Sequence, residues 1–329
     1  MNKFFKKNFT SDHINNNYFN RTLLVIIFVL LIVIVGILFN NIMVERNKNT
    51  FKGIINLSSL TDPLRQFYKA DDLVINVQPL RDELNAIGKN QNVSIYFEVL
   101  NTGTNISVNK DAEFFPASLL KVPLIMAVIK KIERGEWEWN TEIKLTEADK
   151  NKDFGILWQK PTGTVFTIEE LVKQALINSD NTAYFMLLNN LDPNEIVKVQ
   201  NYLGLVDFPS ESLRISAKQY APILRSLFSA TYLTIDNSEK ILEWMSESDF
   251  NDYLAGGIPA TTKFSHKIGI DDEKKSYLDA GIVYLTNRPY ILIVMVKDFN
   301  LNEADNFMHD VSQKVYSYMV NYPKNILRI

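Results

Sequence analysis

A serine and a lysine three residues apart, Ser118 and Lys121, stand in a stretch that is otherwise apolar on every side past Pro116: Phe115–Ile129, FPASLLKVPLIMAVI. On a helix that spacing places both side chains on one face, with about 5–6 Å between Cβ atoms, so the amine reaches the hydroxyl. A helix that is hydrophobic all round belongs in the centre of a domain, and desolvation there disfavours the charged form of a lysine. A lysine with a lowered pKa is a proton acceptor, and a serine beside a proton acceptor is an activated nucleophile. The competing account is a core helix whose lysine snorkels outward. The pattern S-x-x-K is weak by itself, because Ser107 to Lys110 repeats it. There Ile106-Ser107-Val108 alternates as a strand, which points the serine and the lysine to opposite faces.

The elements that position this pair follow from local signals. Pro116 suits a helix start, and Pro123 is tolerable if the helix begins close to Ser118, so that its missing N–H falls near the first turn. Ser118 then sits at the positive end of the helix dipole, where free N–H groups can stabilise an oxyanion. Upstream, Pro79 to Ile87 reads as an amphipathic helix, and strands at Val93 to Leu100 and Asn105 to Asn109 form a hairpin around Asn101-Thr102-Gly103-Thr104. Downstream, Thr167 caps a helix through Ile177 with Glu169 and Glu170 in its first turn. It ends in the polar knot Asn178-Ser179-Asp180-Asn181-Thr182, after which Ala183 to Leu188 is apolar at once. That knot is either ordinary capping or a short loop presenting a hydroxyl and an amide into a cleft.

Further helices are expected at Asn194 to Tyr202, Ser216 to Phe228 and Ser238 to Met245, strands at Lys263 to Ile268, Ser276 to Leu285 and Tyr290 to Val296, and a closing helix at about Glu303 to Val320. A hairpin first, helices in the middle, antiparallel strands and a helix last is an α+β order. Alternation along Lys263 to Ile268 puts His266 on the face opposite Lys267, which gives the histidine a structural role.

Composition removes several chemistries. The chain has 329 residues, 46% of them hydrophobic, enough for one sizeable core. It has no cysteine, three histidines (His13, His266, His309) and 12 glycines. Thiolate nucleophiles and disulfides are therefore out, a histidine zinc cluster is not available, and no Gly-rich phosphate loop is present, so neither a metal nor a nucleotide cofactor is expected. A net charge of −3 with no basic block beyond the N-terminal tail argues against nucleic acid as a partner.

Residues 1–21 carry Lys3, Lys6, Lys7 and Arg21 against Asp12, and Leu23 to Phe39 is an uninterrupted apolar run close to the length that spans roughly 30 Å of hydrocarbon. A membrane anchor at residues 22–39, with a cytoplasmic tail at 1–21 and everything after it extracytoplasmic, is the expectation. A cleaved signal peptide is the competing reading, but no small-x-small site follows the run. Residues 40–72 read as a linker and 73–329 as the catalytic domain.

Three pieces now stand in order: Ser118-Leu119-Leu120-Lys121, Ser179-Asp180-Asn181 and Lys267-Ile268-Gly269. S-x-x-K, S-D-N and K-T-G form the signature of class A β-lactamases and penicillin-binding proteins, and over roughly residues 90–329 the chain resembles the serine hydrolases of that superfamily, most closely the class A type. The resemblance implies a three-layer αβα fold with an antiparallel sheet flanked by helices. It implies Ser118 as the acylated nucleophile, Lys121 as its base, Ser179 as the proton relay to the leaving amine and Asn181 as the holder of the substrate amide. Lys267 would supply positive charge, Gly269 belongs to the same motif, and the N–H groups of Ser118 and Ile270 would form the oxyanion hole. The implied partner is a β-lactam or a peptidoglycan stem peptide, with no cofactor.

Two departures bear on function. Ile268 replaces the usual hydroxyl residue of the third motif. The E-x-x-L-N loop that carries the deacylating glutamate in class A enzymes is absent, and of the acids in that interval, Asp192, Glu195, Asp207 and Glu211, only Glu211 lies late enough to substitute. A membrane-anchored β-lactamase-type hydrolase with slow deacylation is the leading expectation, and a D,D-peptidase of penicillin-binding type the alternative. A covalent β-lactam sensor is the third, for which the short N-terminal tail offers no signalling domain.

Overall fold

The computed structural model describes residues 73–74, 76–205 and 213–322. By contacts the chain divides into two units, Met1–Ser59 and Leu60–Ile329, and the described residues all lie in the second. The expected anchor at residues 22–39 and the candidate base Glu211 lie outside the described residues. Among the described residues no helix is long and apolar enough to cross a membrane.

In chain order the elements are α1 (Gln78–Ile87), β1 (Val93–Val99), β2 (Asn105–Val108), a 3-10 turn (Ala117–Leu120) running into α2 (Lys121–Glu133), a ribbon of β3 (Glu142–Lys144) and β4 (Val165–Thr167), then α3 (Ile168–Ile177), α4 (Asn181–Asn190), α5 (Pro193–Leu203), α6 (Ala217–Phe228), α7 (Ile235–Ser246) and α8 (Tyr253–Gly256). Strands β5 (Phe264–Asp271), β6 (Ser276–Val283) and β7 (Tyr290–Lys297) and the helix α9 (Leu301–Asn321) close the chain. The main sheet is antiparallel in the order β2-β1-β7-β6-β5. The chain therefore lays its first hairpin beside its last strand, which leaves β5 as an open edge.

Period-2 alternation sorts the sheet into two faces. Ile95, Phe97, Leu292, Val294 and Val296 pack with α1, α8 and α9, while Tyr96, Ala280, Ile282, Ile291, Ile293 and Met295 pack with α2, α3, α4, α6 and α7. Helices cover both faces of the sheet, the three-layer arrangement expected. All residues of α2 from Lys121 to Ile129 are buried, because other helices and the sheet surround this helix, as its all-round apolar sequence requires.

Caps fix the helix boundaries. Thr167 and Glu170 form a reciprocal capping box at α3, Ser216 and Gln219 another at α6, and Asn300 and Glu303 a third at α9. Asp180 caps α4, whose first residue is Asn181 rather than the expected Ala183. Helix α7 begins at Ile235, capped by Thr234, a turn earlier than the sequence periodicity indicates, and β5 runs on past Ile268 through Asp271. The β3–β4 ribbon lies in the polar, tryptophan-rich stretch after Gly135, whose short strands carry no alternation long enough to detect.

The edge strand β5 sits against the 3-10 turn that carries Ser118. A Cβ added at Gly269 would lie 2.9 Å from the Pro116 carbonyl oxygen, 3.1 Å from Leu278 Cδ1 and 3.4 Å from Ala117 Cβ. Glycine at this position sets how closely the Ser118 turn approaches the sheet. Substituting Gly269→Ala is expected to cost about 1–3 kcal/mol of stability through overpacking. The displacement it forces on the turn is expected to slow acylation of Ser118 by about 10²-fold. Thermal unfolding and adduct formation measured on the same sample check this, and wild-type acylation in a folded variant would contradict the close-packing account.

Candidate active site

The first wall of the site is the turn Ala117–Leu120. Ala117 has a φ of 45°, left-handed backbone in a residue other than glycine. Strain of this kind persists only where surrounding structure imposes it. It is held by the Leu119 N–H to Pro116 carbonyl bond at 3.0 Å and by Tyr220 of α6, whose buried hydroxyl donates to the Leu119 carbonyl at 3.1 Å. Ser118 is thereby presented one turn ahead of α2, with Lys121 as the helix's first residue. Its own N–H lies in a first turn, where no intrahelical acceptor exists.

The second wall is the knot between α3 and α4. Ser179 also has a left-handed φ, 55°. Asp180 fixes it from beneath: the fully buried carboxylate accepts from the Ala183 N–H at 2.9 Å, the Ile156 N–H at 2.7 Å and the Leu157 N–H at 2.9 Å. One residue thus caps α4 and gathers the 151–157 segment beside it. Gly155, at φ 87°, has to be glycine, since a Cβ there would lie 2.0 Å from Asp180 Oδ2. So both readings of the knot hold together: it caps a helix and it presents a hydroxyl and an amide.

The third wall is β5. Lys267 reaches across to Ser179, its Nζ donating to Ser179 Oγ at 2.8 Å. His266 points the other way, as alternation requires: its Nδ1 is 2.9 Å from Asp279 Oδ1 and its ring stacks on Phe264.

These walls meet at Lys121. Its side chain is buried, 2% exposed, which excludes the snorkelling account. The Nζ lies 2.9 Å from Ser118 Oγ, 2.5 Å from the Ser179 carbonyl oxygen, 2.7 Å from Asn181 Oδ1 and 3.1 Å from Ser179 Oγ. Burial above all, with the Lys267 charge added, holds its ammonium well below the ordinary lysine range, and Asp180 pulls weakly the other way. A neutral lysine amine has two N–H donors and one lone pair. The Ser179 carbonyl and Asn181 Oδ1 are pure acceptors and take the two donors, so the lone pair is left facing the Ser118 hydroxyl. Lys267 is likewise pushed down to about 7 by burial, with Asp279 opposing the shift.

All seven candidate residues other than Glu211 converge. Ser118, Lys121, Asn181 and Ile270 line one cleft of 580 Å³, Ser179 and Lys267 are hydrogen-bonded beneath it, and Gly269 packs behind the turn. The second S-x-x-K stays apart: Ser107 is on β2 and Lys110 is exposed beside Asp111. Asn151 is a site residue that sequence reasoning missed. Its Oδ1 accepts from Asn181 Nδ2 at 3.0 Å and so fixes which end of the Asn181 amide faces Lys121. Phe154, Tyr184 and Phe185 also line the cleft. No spacing rule marks Asn151 or Phe154, because they reach the site through the Asp180 anchor rather than through an element of their own. Among the described residues no group of three His, Asp or Glu side chains is arranged to hold a metal ion.

Comparison with known proteins agrees with this fold. Beta-lactamase VEB-1 of Pseudomonas aeruginosa is 22% identical over 262 residues, covering 71% of this chain and 87% of the relative. The beta-lactamase from Sphaerobacter thermophilus superposes with a TM-score of 0.68 at 20% identity, covering 76% of this chain and 100% of that one. PBP-A superposes with a TM-score of 0.65 at 21% identity, covering 72% of this chain and 97% of that one. A mutant of PBP-A in acyl-enzyme complex with penicillin G superposes at 0.67 with 22% identity, covering 74% and 97%. The sequence model of the beta-lactamase enzyme family matches residues 79–319, most of the chain and nearly all of its described part, and the protein belongs to that family.

Proposed function

We propose that the protein is a membrane-anchored serine hydrolase that forms an acyl-enzyme on Ser118 with β-lactams or related amides and releases it slowly. The observation that carries this reading is the Lys121 amine, buried and 2.9 Å from Ser118 Oγ with both of its N–H donors engaged elsewhere. In the acylation step Ser118 Oγ attacks the carbonyl carbon and its proton passes to Lys121 Nζ. The carbonyl π electrons move to oxygen, held by the N–H groups of Ser118 and Ile270. The oxyanion then collapses, the C–N bond breaks, and Ser179 Oγ gives its proton to the departing nitrogen. Ser179 is made whole by a proton from Lys121, 3.1 Å away, with the Lys267 ammonium at 2.8 Å stabilising the charge that develops there. Asn181 Nδ2 holds the substrate amide while Asn151 orients it. Each step uses donors that are already in position, which is where enzymes gain most.

Deacylation needs an activated water, and among the described residues the hydrogen-bonded set around Ser118 contains no carboxylate. That leaves Lys121 or Glu211 as the base. Lack of a positioned base costs about 10²–10⁴ in rate, so acylation outruns hydrolysis. The same observation favours a second reading, a D,D-peptidase acting on cell-wall stem peptides, which the likeness to PBP-A is compatible with. A chromogenic cephalosporin and a D-Ala-D-Ala peptide, each tested for turnover, separate the two.

Mixing the full-length chain with a penicillin should produce a species heavier by the mass of the drug that persists for many minutes and is absent from Ser118→Ala. Rapid multiple turnover without a trapped species would contradict slow deacylation. If Glu211→Gln then trapped the adduct, Glu211 would be the base. The rate of adduct formation should fall as pH rises through about 7, where the Lys267 charge is lost, and Lys267→Met should abolish that fall together with most of the rate. Protonation of Lys121, below the ordinary lysine range, should slow it toward acid.

The anchor rests on the run Leu23 to Phe39 and its basic flank, and it places the catalytic domain outside the cytoplasm. A reporter fused after Asn41 should be inactive in its cytoplasm-specific form and active in its export-specific form, and the reverse result would overturn this topology.

A further inference from the structure

A second cavity, of 350 Å³, opens on the face of β5 that turns away from Lys267, and it shares no lining residue with the cleft. One wall is the end of α7 with the segment after it, through Ser246, Ser248 and Asn251. The other is the chain that leads from α8 into β5, and His266 forms part of the lining. The chemistry proposed at Ser118 uses none of these residues.

His266 is 3% exposed, yet only one of its two ring nitrogens is engaged within the protein. Nδ1 lies 2.9 Å from Asp279 Oδ1, and Asp279 Oδ2 accepts from the Leu254 N–H at 3.2 Å, so the fully buried carboxylate has both oxygens committed and takes the Nδ1 proton. The ring is stacked on Phe264, with centroids 4.4 Å apart, which fixes its plane. Among the described residues nothing meets Nε2, and the ring edge that carries it is the one left to face the cavity. A buried polar atom without a partner costs free energy that a ligand in the cavity recovers.

The lining narrows the kind of ligand. With the proton on Nδ1, a neutral imidazole presents Nε2 as an acceptor, so the ligand atom that meets it carries an O–H or N–H. Nearby hydroxyls add partners of both kinds. Ser246 donates to the Glu243 carbonyl at 2.7 Å and shows only lone pairs to the cavity, while Ser248 accepts from the Phe250 N–H at 3.4 Å and has its own proton to give. No carboxylate lines the cavity, and the single lysine in the lining, Lys263, is exposed. A cation therefore finds no counter-charge, and an anion would face the Nε2 lone pair. Ile258 and Pro259 add an apolar wall. A sugar ring answers to this mixture, since its hydroxyls both donate and accept and its C–H face is apolar. The volume is near the low end of ligand pockets, about 300–1,000 Å³, and so suits one ring.

We propose that this cavity is a second binding site, separate from the Ser118 cleft, for a neutral polyhydroxylated ligand the size of one sugar ring, with a ligand hydroxyl donating to His266 Nε2.

N-acetylglucosamine is the probe, with inorganic phosphate and methylammonium as the charged controls. The full-length chain is labelled with 15N in its histidine rings and carries His13→Gln and His309→Gln, so that the remaining ring signals belong to His266. The sugar should move the Nε2 signal saturably, and the charged probes should leave it in place. Affinity is then measured by calorimetry in His266→Asn, whose amide nitrogen can keep the bond to Asp279 while Nε2 is gone. Binding should weaken by about tenfold. An Nε2 signal that the sugar does not move, or undiminished binding by folded His266→Asn, overturns the proposal. Saturable binding of phosphate or methylammonium instead of the sugar overturns the neutral ligand class. If His266→Asn does not fold, the Nε2 signal of the labelled chain decides alone. Labelling of Ser118 by a penicillin is read separately, so the fate of the acyl-enzyme reading stays distinct from this one.

Discussion

The site depends on taking one amine out of water. Lys121 is the first residue of a helix buried on all sides, so its ammonium is stripped of water, and that burial together with the nearby Lys267 charge favours the neutral amine instead. Two pure acceptors, the Ser179 carbonyl and Asn181 Oδ1, consume its donors and aim its lone pair at Ser118. An ordinary surface lysine is a cation and a poor base. Burial makes this one useful, and the fold has to supply that burial from segments far apart in sequence.

Lys121 and Ser179 are 58 residues apart, and Ser179 and Lys267 a further 88. They are brought together by close backbone approaches more than by side-chain packing. Gly269 lets the edge strand touch the Ser118 turn, Gly155 lets the 151–157 segment close over Asp180, and Ala117 and Ser179 both hold left-handed backbone at the two hydroxyl-bearing corners. Such positions cost free energy and stay populated only when the surrounding structure over-determines them. Here Tyr220 under the turn and Asp180 under the knot do so, each through buried hydrogen bonds that water cannot replace.

Much of this was legible in the sequence. The all-round apolar helix announced the burial of Lys121, alternation along β5 separated His266 from Lys267, and Thr167, Ser216 and the Ser179-Asp180-Asn181 knot announced helix starts through their own side chains. What escaped was what has no local period. Asn151 and Phe154 lie in irregular backbone whose course is set by Asp180, a residue 24 or more positions away from Ile156 and Asn151, and strands of three residues such as β3 and β4 are too short to alternate visibly. The extension of β5 through Asp271 also escaped, because Gly269 and Asp271 break the apolar run, and only the pairing of Ile270 with Tyr277 and of Asp271 with Ser276 makes them strand.

The chemistry proposed at Ser118 requires Lys121 to give up its proton in the folded protein. Lysine labelled with 13C at Cε reports protonation directly, and the Lys121 resonance is assigned by its loss in Lys121→Arg. Titrated in the folded, substrate-free protein, Lys121 should lose its proton well below the range in which the exposed lysines titrate. A Lys121 that keeps its charge up to the ordinary lysine range, about pH 10, would mean that it cannot take the Ser118 proton, and the nucleophile would need another base.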